Sequence, residues 1–379
     1  MDFRALRDEF PITRRRPRCV HLNHAGMAPL CRPVMGAMTT LLEDQGENGA
    51  LRFRAWLDDI EETRRLAARL IGADDGEIAF VLNTTDGMSI AASGLPWRPG
   101  DNAVVYQKGY PAAVRPFLAL ARRGVEIRRV DDDGSGRIFP DAVLARCDGR
   151  TRAVGLSLVE YATGFRLDVE ALGPLLAERG IRFVVDAIQG LGVTPLDVRR
   201  AQIDALASGG FKWLLGPMGS GFLFVRREVL PEIEIRSAGA GSVERPFDFD
   251  DLDQPLSSSA RRFEGGTWNL AGIVGLRAAL ELLLDGVGVE AARDRIFSLV
   301  DRAAEALRSR GYEIRTPLAS RSERSGILAF THPAHAAREI ERRAAANGVA
   351  MATRGGFARI SPHAWNDESD IDAFLEAVP

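Results

Sequence analysis

Lys108 and Lys212 are the only lysines in this chain of 379 residues, against 47 arginines. An arginine guanidinium stays protonated in proteins, whereas a buried lysine can lose its charge and attack a carbonyl to form a Schiff base. Lys212 lies among glycines and apolar residues, in the segment Gly-Gly-Phe-Lys-Trp-Leu-Leu-Gly-Pro over 209–217. We therefore expect Lys212 to be a reactive amine and Lys108 to be a surface cation.

Asp186 is a second residue whose type and position suggest chemistry. It follows the largely apolar run 181–185, which predicts a strand, and α/β sheets bind ligands outside the carboxyl ends of their strands. A Schiff-base lysine together with an acid that keeps a pyridine nitrogen protonated is the pair that a pyridoxal-phosphate site requires. Either residue alone is a weak signal, but the pair indicates such a site.

A phosphate would need its own binding site, and the segment 83–87 (Asn-Thr-Thr-Asp-Gly) is a candidate. It lies between an apolar run and a helical pattern, where free backbone N–H groups and the helix dipole favour an anion. The alternative is an ordinary helix cap made by Thr or Asp. If Lys212 holds the cofactor, we expect Thr84 and Thr85 to bind its phosphate.

These residues must be positioned by a larger scaffold. Strand-like runs at 77–82, 102–106, 125–130, 153–158 and 181–185 alternate with helical patterns at 33–72, 112–122 and 169–179. This alternation predicts a mostly parallel sheet with helices on both faces. Beyond a polar stretch near residue 250, the patterns predict a smaller α+β region, with helices at 270–284, 289–310, 334–347 and from Asp367, and strands at 326–330 and 357–360.

Composition argues against several other classes. The net charge is −3 and no basic module is visible, so nucleic-acid binding is not expected. The three cysteines and five histidines lack metal-ligand spacing, and three cysteines make no disulfide framework. No apolar run is long enough to span a bilayer, and the charged N-terminus is not a secretory signal. We expect a cytoplasmic enzyme without a metal site.

The segment 209–217, followed by Gly-Ser-Gly-Phe-Leu at 219–223, resembles the cofactor-lysine motif of the class V aminotransferases. That pyridoxal-phosphate family includes cysteine desulfurases, selenocysteine lyases, kynureninase and isopenicillin-N-epimerase-like enzymes. The resemblance extends from 22–26 (Leu-Asn-His-Ala-Gly) to 359–363 (Arg-Ile-Ser-Pro-His).

The resemblance implies the α/β architecture of fold-type-I pyridoxal-phosphate enzymes. A large domain, residues 20–255, would contain a mostly parallel seven-stranded sheet flanked by helices. A small C-terminal α+β domain would comprise residues 256–379, with residues 1–19 packing nearby.

The resemblance also implies roles for matching residues. Lys212 would form the Schiff base with pyridoxal 5'-phosphate and then act as general base at the substrate's α-carbon. Asp186 would pair with the pyridinium nitrogen, and Gln189 would lie near the phenolic oxygen. Arg359 would hold the substrate carboxylate by a two-pronged contact, which a planar guanidinium suits. The other implied cofactor contacts are Thr84, Thr85, Tyr110, Tyr161 and Thr267, and the other implied substrate contacts are Asn23 and His24.

Thr267 would reach the phosphate of the neighbouring subunit, so the resemblance implies a homodimer. His363 is expected to have no chemical role. Phe211 stands where relatives often have His or Tyr, which removes one side-chain hydrogen bond to the cofactor.

One departure from the family bears on the reaction. Desulfurases carry a nucleophilic Cys on a loop before the substrate-binding Arg, but the corresponding link here, 353–357, is short and has no Cys. We expect an amino acid or amine to be transformed by aminotransferase or β-lyase (C–S lyase-like) chemistry. The alternatives are epimerase activity, a cysteine desulfurase or selenocysteine lyase using Cys31, and a non-catalytic scaffold.

Overall fold

A computed structural model describes all 379 residues, as eleven α-helices and thirteen strands joined by short 3-10 and π-helical turns. The helices are α1 Phe3–Asp8, α2 Arg32–Asn48, α3 Phe53–Ile71, α4 Thr84–Gly94, α5 Pro111–Leu118, α6 Pro140–Leu144, α7 Val169–Ala177, α8 Leu270–Glu281, α9 Val289–Ser309, α10 Ala337–Ala346 and α11 Glu368–Ala377. The strands are β1 Val20–His21, β2 Ile78–Val81, β3 Asn102–Tyr106, β4 Glu126–Val130, β5 Thr151–Ser157, β6 Arg182–Asp186, β7 Ala205–Gly209, β8 Gly221–Val225, β9 Glu313–Ile314, β10 Leu328–Thr331, β11 Val349–Ala350, β12 Ala352–Arg354 and β13 Phe357–Ile360.

Seven strands form the central sheet, in the order β2-β8-β7-β6-β5-β3-β4. The five strands from β7 to β4 run parallel, and β8 is antiparallel to both of its neighbours, β7 and β2. Successive residues of a strand point to opposite faces, so Phe183 and Val185 belong to one hydrophobic core and Val184 to the other. The predicted mostly parallel, seven-stranded sheet with helices on both faces is confirmed.

The C-terminal part of the chain forms a second, antiparallel sheet in the order β12-β13-β10-β9. A two-residue Gly-Gly turn, with positive φ at Gly355 and Gly356, joins β12 to β13. This turn suits a tight hairpin because glycine adopts positive φ without steric strain. The short predicted link before Arg359 is therefore a hairpin turn and not an extended loop.

The N-terminal residues pack against the C-terminal ones. Arg7 pairs with Asp370 at 2.6 Å, the rings of Phe10 and Trp365 stack with centroids 4.6 Å apart, and β1 pairs in parallel with β11. The division into domains at residue 255 stays a prediction. None of the helices is both long and apolar enough to cross a membrane.

Candidate active site

Lys212 lies in the link between β7 and β8, at the carboxyl end of β7. Backbone hydrogen bonds fix this link, from Gly210 N to the Ser220 oxygen and from Gly216 N to the Gly210 oxygen, each 2.8 Å long. The lysine side chain is only 6% exposed, and its Nζ lies 5.5 Å from the centre of the Tyr110 ring. Lys108, in contrast, is an exposed cation paired with Asp132.

Burial lowers the pKa of Lys212 to about 8, and the nearby positive charges of Arg359 and Arg354 lower it further, while Asp186 opposes the shift. Removing an ammonium group from water disfavours its charged form. The lowered pKa makes the uncharged amine, which the expected reaction with a carbonyl requires, more accessible near neutral pH than it is for an ordinary lysine.

Asp186 is the last residue of β6, the strand next to β7, and its carboxyl group is buried. One oxygen accepts a hydrogen bond from Ile188 N at 3.1 Å. Burial raises the pKa of Asp186 to about 6, against the opposing influence of the Ile188 bond and of Lys212. Because the carboxylate is the main form above that pH, Asp186 can hold a positively charged partner.

The N-terminus of α4 lies on the same edge of the sheet. Asn83 caps the helix by accepting a hydrogen bond from Asp86 N at 3.0 Å, whereas the N–H groups of Thr84 and Thr85 have no acceptor in the protein. The Thr84 hydroxyl accepts a hydrogen bond from Gly209 N at 3.0 Å and so ties the helix to the link that carries Lys212. Free N–H groups at a helix start are suited to a phosphate.

Arg359, in the centre of β13, brings a cation from the second sheet. Its side chain is 1% exposed, and one terminal nitrogen donates to the carbonyl oxygen of Tyr161. Its Nε and its other terminal nitrogen are buried without any partner. Burial lowers the pKa of Arg359 to about 9, helped by the positive charge of Arg354. Unpaired buried donors carry a free-energy penalty that a bound carboxylate would remove.

Seven of the residues predicted from the sequence meet at one cavity of about 210 Å³. Asp186 is not part of the cavity lining but lies within electrostatic range of Lys212. The Tyr110 and Tyr161 rings meet edge to face, with centroids 5.2 Å apart. The seven residues are Thr84, Thr85, Tyr110, Tyr161, Gln189, Lys212 and Arg359.

The side-chain amide of Gln189 already makes two hydrogen bonds within the protein. Its amide nitrogen donates to the Ala25 oxygen at 2.9 Å, and its amide oxygen accepts from the Trp213 indole at 3.0 Å. The second hydrogen of the amide nitrogen remains available at the cavity.

The structure places His24 in a buried aromatic cluster and not on the cavity. Its Nδ1 lies 3.0 Å from the Ser361 oxygen, and its Nε2 accepts from the Trp365 indole at 3.0 Å. Burial lowers the pKa of His24 well below its usual value. Both ring nitrogens are thus occupied, and the ring has no free group for a substrate. His363 belongs to the same cluster, and burial lowers its pKa to about 4.

Two further predicted residues lie apart from the cavity lining. Asn23 is half-buried beside Gly26, with a side-chain oxygen that has no partner. Thr267 is exposed and lies near Asp86 and Gly219, in a separate surface depression.

Sequence reasoning missed Arg354, which lines the cavity from the end of β12, next to the hairpin turn. Its place in the short link was visible, but nothing separated it from the other arginines. Sequence reasoning also missed a role for Glu160, which precedes Tyr161 and is buried without a hydrogen bond through its side chain.

None of the three cysteines lines the cavity. Cys31 is fully buried before α2, and burial raises the pKa of its thiol. Cys147 also has a raised thiol pKa, chiefly because of burial. A thiolate nucleophile is therefore not favoured at Cys31 or Cys147.

Comparisons with known proteins agree with this fold. The family model described as "Aminotransferase class-V" matches residues 20–374. A protein of Methanothermobacter thermautotrophicus named "Probable cysteine desulfurase" is 34% identical over 283 residues, which span 73% of this chain and 69% of that protein.

Solved structures are also similar. The cysteine desulfurase CsdA of Escherichia coli superposes with a TM-score of 0.87 at 25% identity, covering 100% of this chain and 97% of that one. A variant of C-DES with glycine covalently linked to its pyridoxal-phosphate cofactor gives a TM-score of 0.90 at 23% identity, covering 98% of each chain.

Proposed function

This chain belongs to the class-V aminotransferase family, and we propose that it is a pyridoxal-phosphate-dependent enzyme that transforms an α-amino acid. The observation that carries the proposal is the meeting of a buried lysine and a buried arginine at one cavity. Lys212 offers an amine with a lowered pKa, and Arg359 offers two unpartnered guanidinium nitrogens. An amino acid supplies a matching carboxylate beside its α-carbon.

The residues around the cavity fit the cofactor. The free N–H groups of Thr84 and Thr85 would bind its phosphate, and Asp186 would hold the proton of its pyridine nitrogen. Tyr110, which is 40% exposed, offers a ring face for stacking, and Lys212 would hold the cofactor covalently through Nζ. Gln189 and Tyr161 would lie near its phenolic oxygen.

When bound, pyridoxal phosphate supplies an electron sink for the charge left at the α-carbon when one of its bonds breaks. Lys212 would take the proton from the α-carbon, since its lowered pKa makes it a base near neutral pH. Arg359 would fix the carboxylate with two parallel hydrogen bonds and so orient the α-carbon toward Lys212. Asp186 stays ionised above pH about 6 and would keep the pyridine proton in place.

We propose transamination or β-elimination as the outcome. In β-elimination, Lys212 takes the α-proton, the β-substituent leaves with its bonding electron pair, and hydrolysis of the released enamine yields a 2-keto acid and ammonium. Neither reaction needs a protein thiol, which agrees with a cavity lined by no cysteine.

An amino-acid panel assayed for keto acid, ammonia and sulfide tests this proposal. Keto acid formed with ammonia supports a lyase, and keto acid formed only with an added amino-group acceptor supports transamination. A protein that binds pyridoxal phosphate but converts no amino acid would contradict both and would favour the scaffold.

Cysteine desulfurase activity is the second candidate, because relatives such as the archaeal protein above carry that name. It would require Cys31 to leave its buried position. Sulfide release from cysteine with a reductant, compared between wild type and Cys31→Ala, decides the point. Loss of sulfide release in the variant supports the desulfurase, whereas equal release excludes a role for Cys31.

A further inference from the structure

A second, larger cavity of about 1020 Å³ lies beside the one that contains Lys212. Its floor is formed at the carboxyl ends of β3, β4 and β5 by Tyr106, Asp132 and Glu160. The segment that follows β9, with Leu318, faces it from the second sheet, and the hairpin turn at Gly355 closes one side.

The two cavities share a wall. Tyr161 lines both of them, and the residues on either side of Tyr110 line the larger one. Arg354 lines the smaller cavity, and its neighbour Gly355 lines the larger. An amino acid held by Arg359 therefore has this larger space next to it.

Glu160 is the unexplained residue of the larger cavity. It is only 3% exposed, its side chain makes no hydrogen bond, and Oε1 is completely buried. A buried carboxyl group without a partner is costly, and native proteins usually provide one. Since Glu160 lines the cavity, a ligand there could provide the missing partner.

The charges around Glu160 favour a positive partner. Burial raises the pKa of Glu160 well above its usual value, and the carboxylates of Asp186 and Asp132 raise it further. Tyr106 donates to Asp132 at 2.6 Å, and Lys108, whose side chain is 66% exposed, pairs with the same carboxylate at 2.7 Å. The floor is thus rich in acidic groups and carries no buried cation of its own.

The arginines that line this cavity lie away from its acidic floor. Arg308 and Arg315 are exposed at the rim, and Arg315 already pairs with Glu313. Arg137 is paired with Glu323 at 2.9 Å. Solvent screens exposed rim charges, whereas the acids of the floor act through a less polar environment.

We propose that the larger cavity receives the substrate's side chain, and that Glu160 binds a terminal ammonium group there. The substrate would then be an amino acid whose side chain ends in an amine. This inference rests on the proposed function, because it assumes that Arg359 and Lys212 hold the other end of the same molecule.

Burial and the neighbouring carboxylates raise the pKa of Glu160, which favours its protonated form in the free enzyme. Pairing with an ammonium group favours release of that proton to solvent. The bound pair is then a carboxylate and an ammonium joined by a charge-assisted hydrogen bond.

The test measures how tightly amino acids bind to the holoenzyme. Binding is monitored through the change in the visible absorbance of the enzyme on rapid mixing. L-Ornithine is compared with L-norleucine, and L-lysine with L-2-aminoheptanoate, so that each pair differs only in a terminal ammonium or methyl group. We expect one diamino acid or both to bind about ten- to a hundredfold more tightly than the methyl analogue. Glu160→Gln should abolish this preference, whereas Glu178→Gln, at an exposed glutamate, should keep it.

Calorimetry on the wild-type holoenzyme, in two buffers of different ionisation enthalpy, gives a second readout that needs no variant. The ammonium-ended member of a pair should release more protons to the buffer than its methyl analogue, because pairing favours the carboxylate form of Glu160. Equal affinities within both pairs would overturn the ammonium subsite while leaving the proposed function intact. A holoenzyme whose absorbance responds to no amino acid would overturn both.

Discussion

At the residue scale, the cavity brings together buried side chains that are energetically unfavourable in the protein without a ligand. Lys212 and Asp186 both have pKa values shifted toward their neutral forms by burial, and Arg359 has donors without acceptors. Residues arranged in this way lower the stability of the protein and are ready to bind a ligand.

Replacing Lys212 by Ala should abolish covalent attachment of pyridoxal phosphate. Borohydride reduction followed by mass spectrometry should find the cofactor on Lys212 in wild type and on no residue in the variant. Turnover should fall by about a hundred- to ten-thousandfold, because a positioned general base is lost. Lys108→Ala is the matched control, and covalent cofactor found on Lys108 in wild type would contradict the assignment.

Asp186→Asn should stabilise the cofactor-free protein and weaken cofactor binding. The folded-state pKa of Asp186, about 6, lies above its usual value, so the folded protein binds more protons than the unfolded chain between about pH 4 and 6. Stability contributed by this group is full below that range and is lost as the pH rises through it. Denaturant midpoints of the apo-protein should therefore favour the variant at pH 7 and converge with wild type near pH 4.

Arg359→Met should leave the free energy of unfolding unchanged or raise it, while weakening carboxylate binding by about 1.5–3 kcal/mol. The reason is that the free protein buries guanidinium donors without partners. Arg359→Lys keeps the positive charge but loses the planar guanidinium that donates two parallel hydrogen bonds. This variant should therefore also bind amino acids weakly. Thermal denaturation and amino-acid titration measure the two effects, and a large loss of stability in Arg359→Met would show that the residue is mainly structural.

At the element scale, the start of α4 and the end of β7 are coupled through the hydrogen bond between Thr84 and Gly209. Thr84→Val should remove that bond and lower the affinity for pyridoxal phosphate by roughly 1 kcal/mol. The affinity for pyridoxal, which lacks the phosphate, should change less. Equilibrium titration of the apo-protein with both compounds measures this, with Ser89→Ala on the same helix as the control.

The sequence predicted strand bounds well in segments that have the composition of buried strands. Asn102–Tyr106 and Phe357–Ile360 were predicted with the observed bounds, because both carry β-favouring side chains and end at turns. Ala205–Gly209 was missed because Ala, Ser and Gly have weak strand preferences, and its neighbours in the sheet impose the conformation. The pairing of Asp186 with Lys212 was predicted from the chemistry of the two residue types and from the strand that ends at Asp186. The burial of His24 and Glu160 depends on tertiary packing that no local pattern records.

At the scale of the whole molecule, several large apolar side chains remain exposed. Leu82 is 59% exposed next to Asn83, and Met218 is 65% exposed in the link that carries Lys212. Exposed apolar groups beside a functional cavity are typical of an interaction surface. They agree with the predicted homodimer, in which Thr267 would reach the partner's cofactor.

Met218→Arg should shift the protein toward monomers in sedimentation experiments and lower its cofactor content at the same time. Thr267→Ala should lower the affinity for pyridoxal phosphate but keep the dimer. A monomeric wild-type protein with full cofactor content would contradict the shared site. Met35→Arg, at an exposed methionine on α2, shows how far the contact surface extends.

Arg359 belongs to the four-stranded sheet, and Lys212 lies in the link between two strands of the seven-stranded sheet. An amino acid in the cavity therefore contacts both parts of the protein. A bound amino acid is then a non-covalent crosslink between the sheets. Amide exchange should slow in both β13 and the 210–216 link when such a molecule binds, and a simple amine or a simple carboxylic acid should protect only one of them.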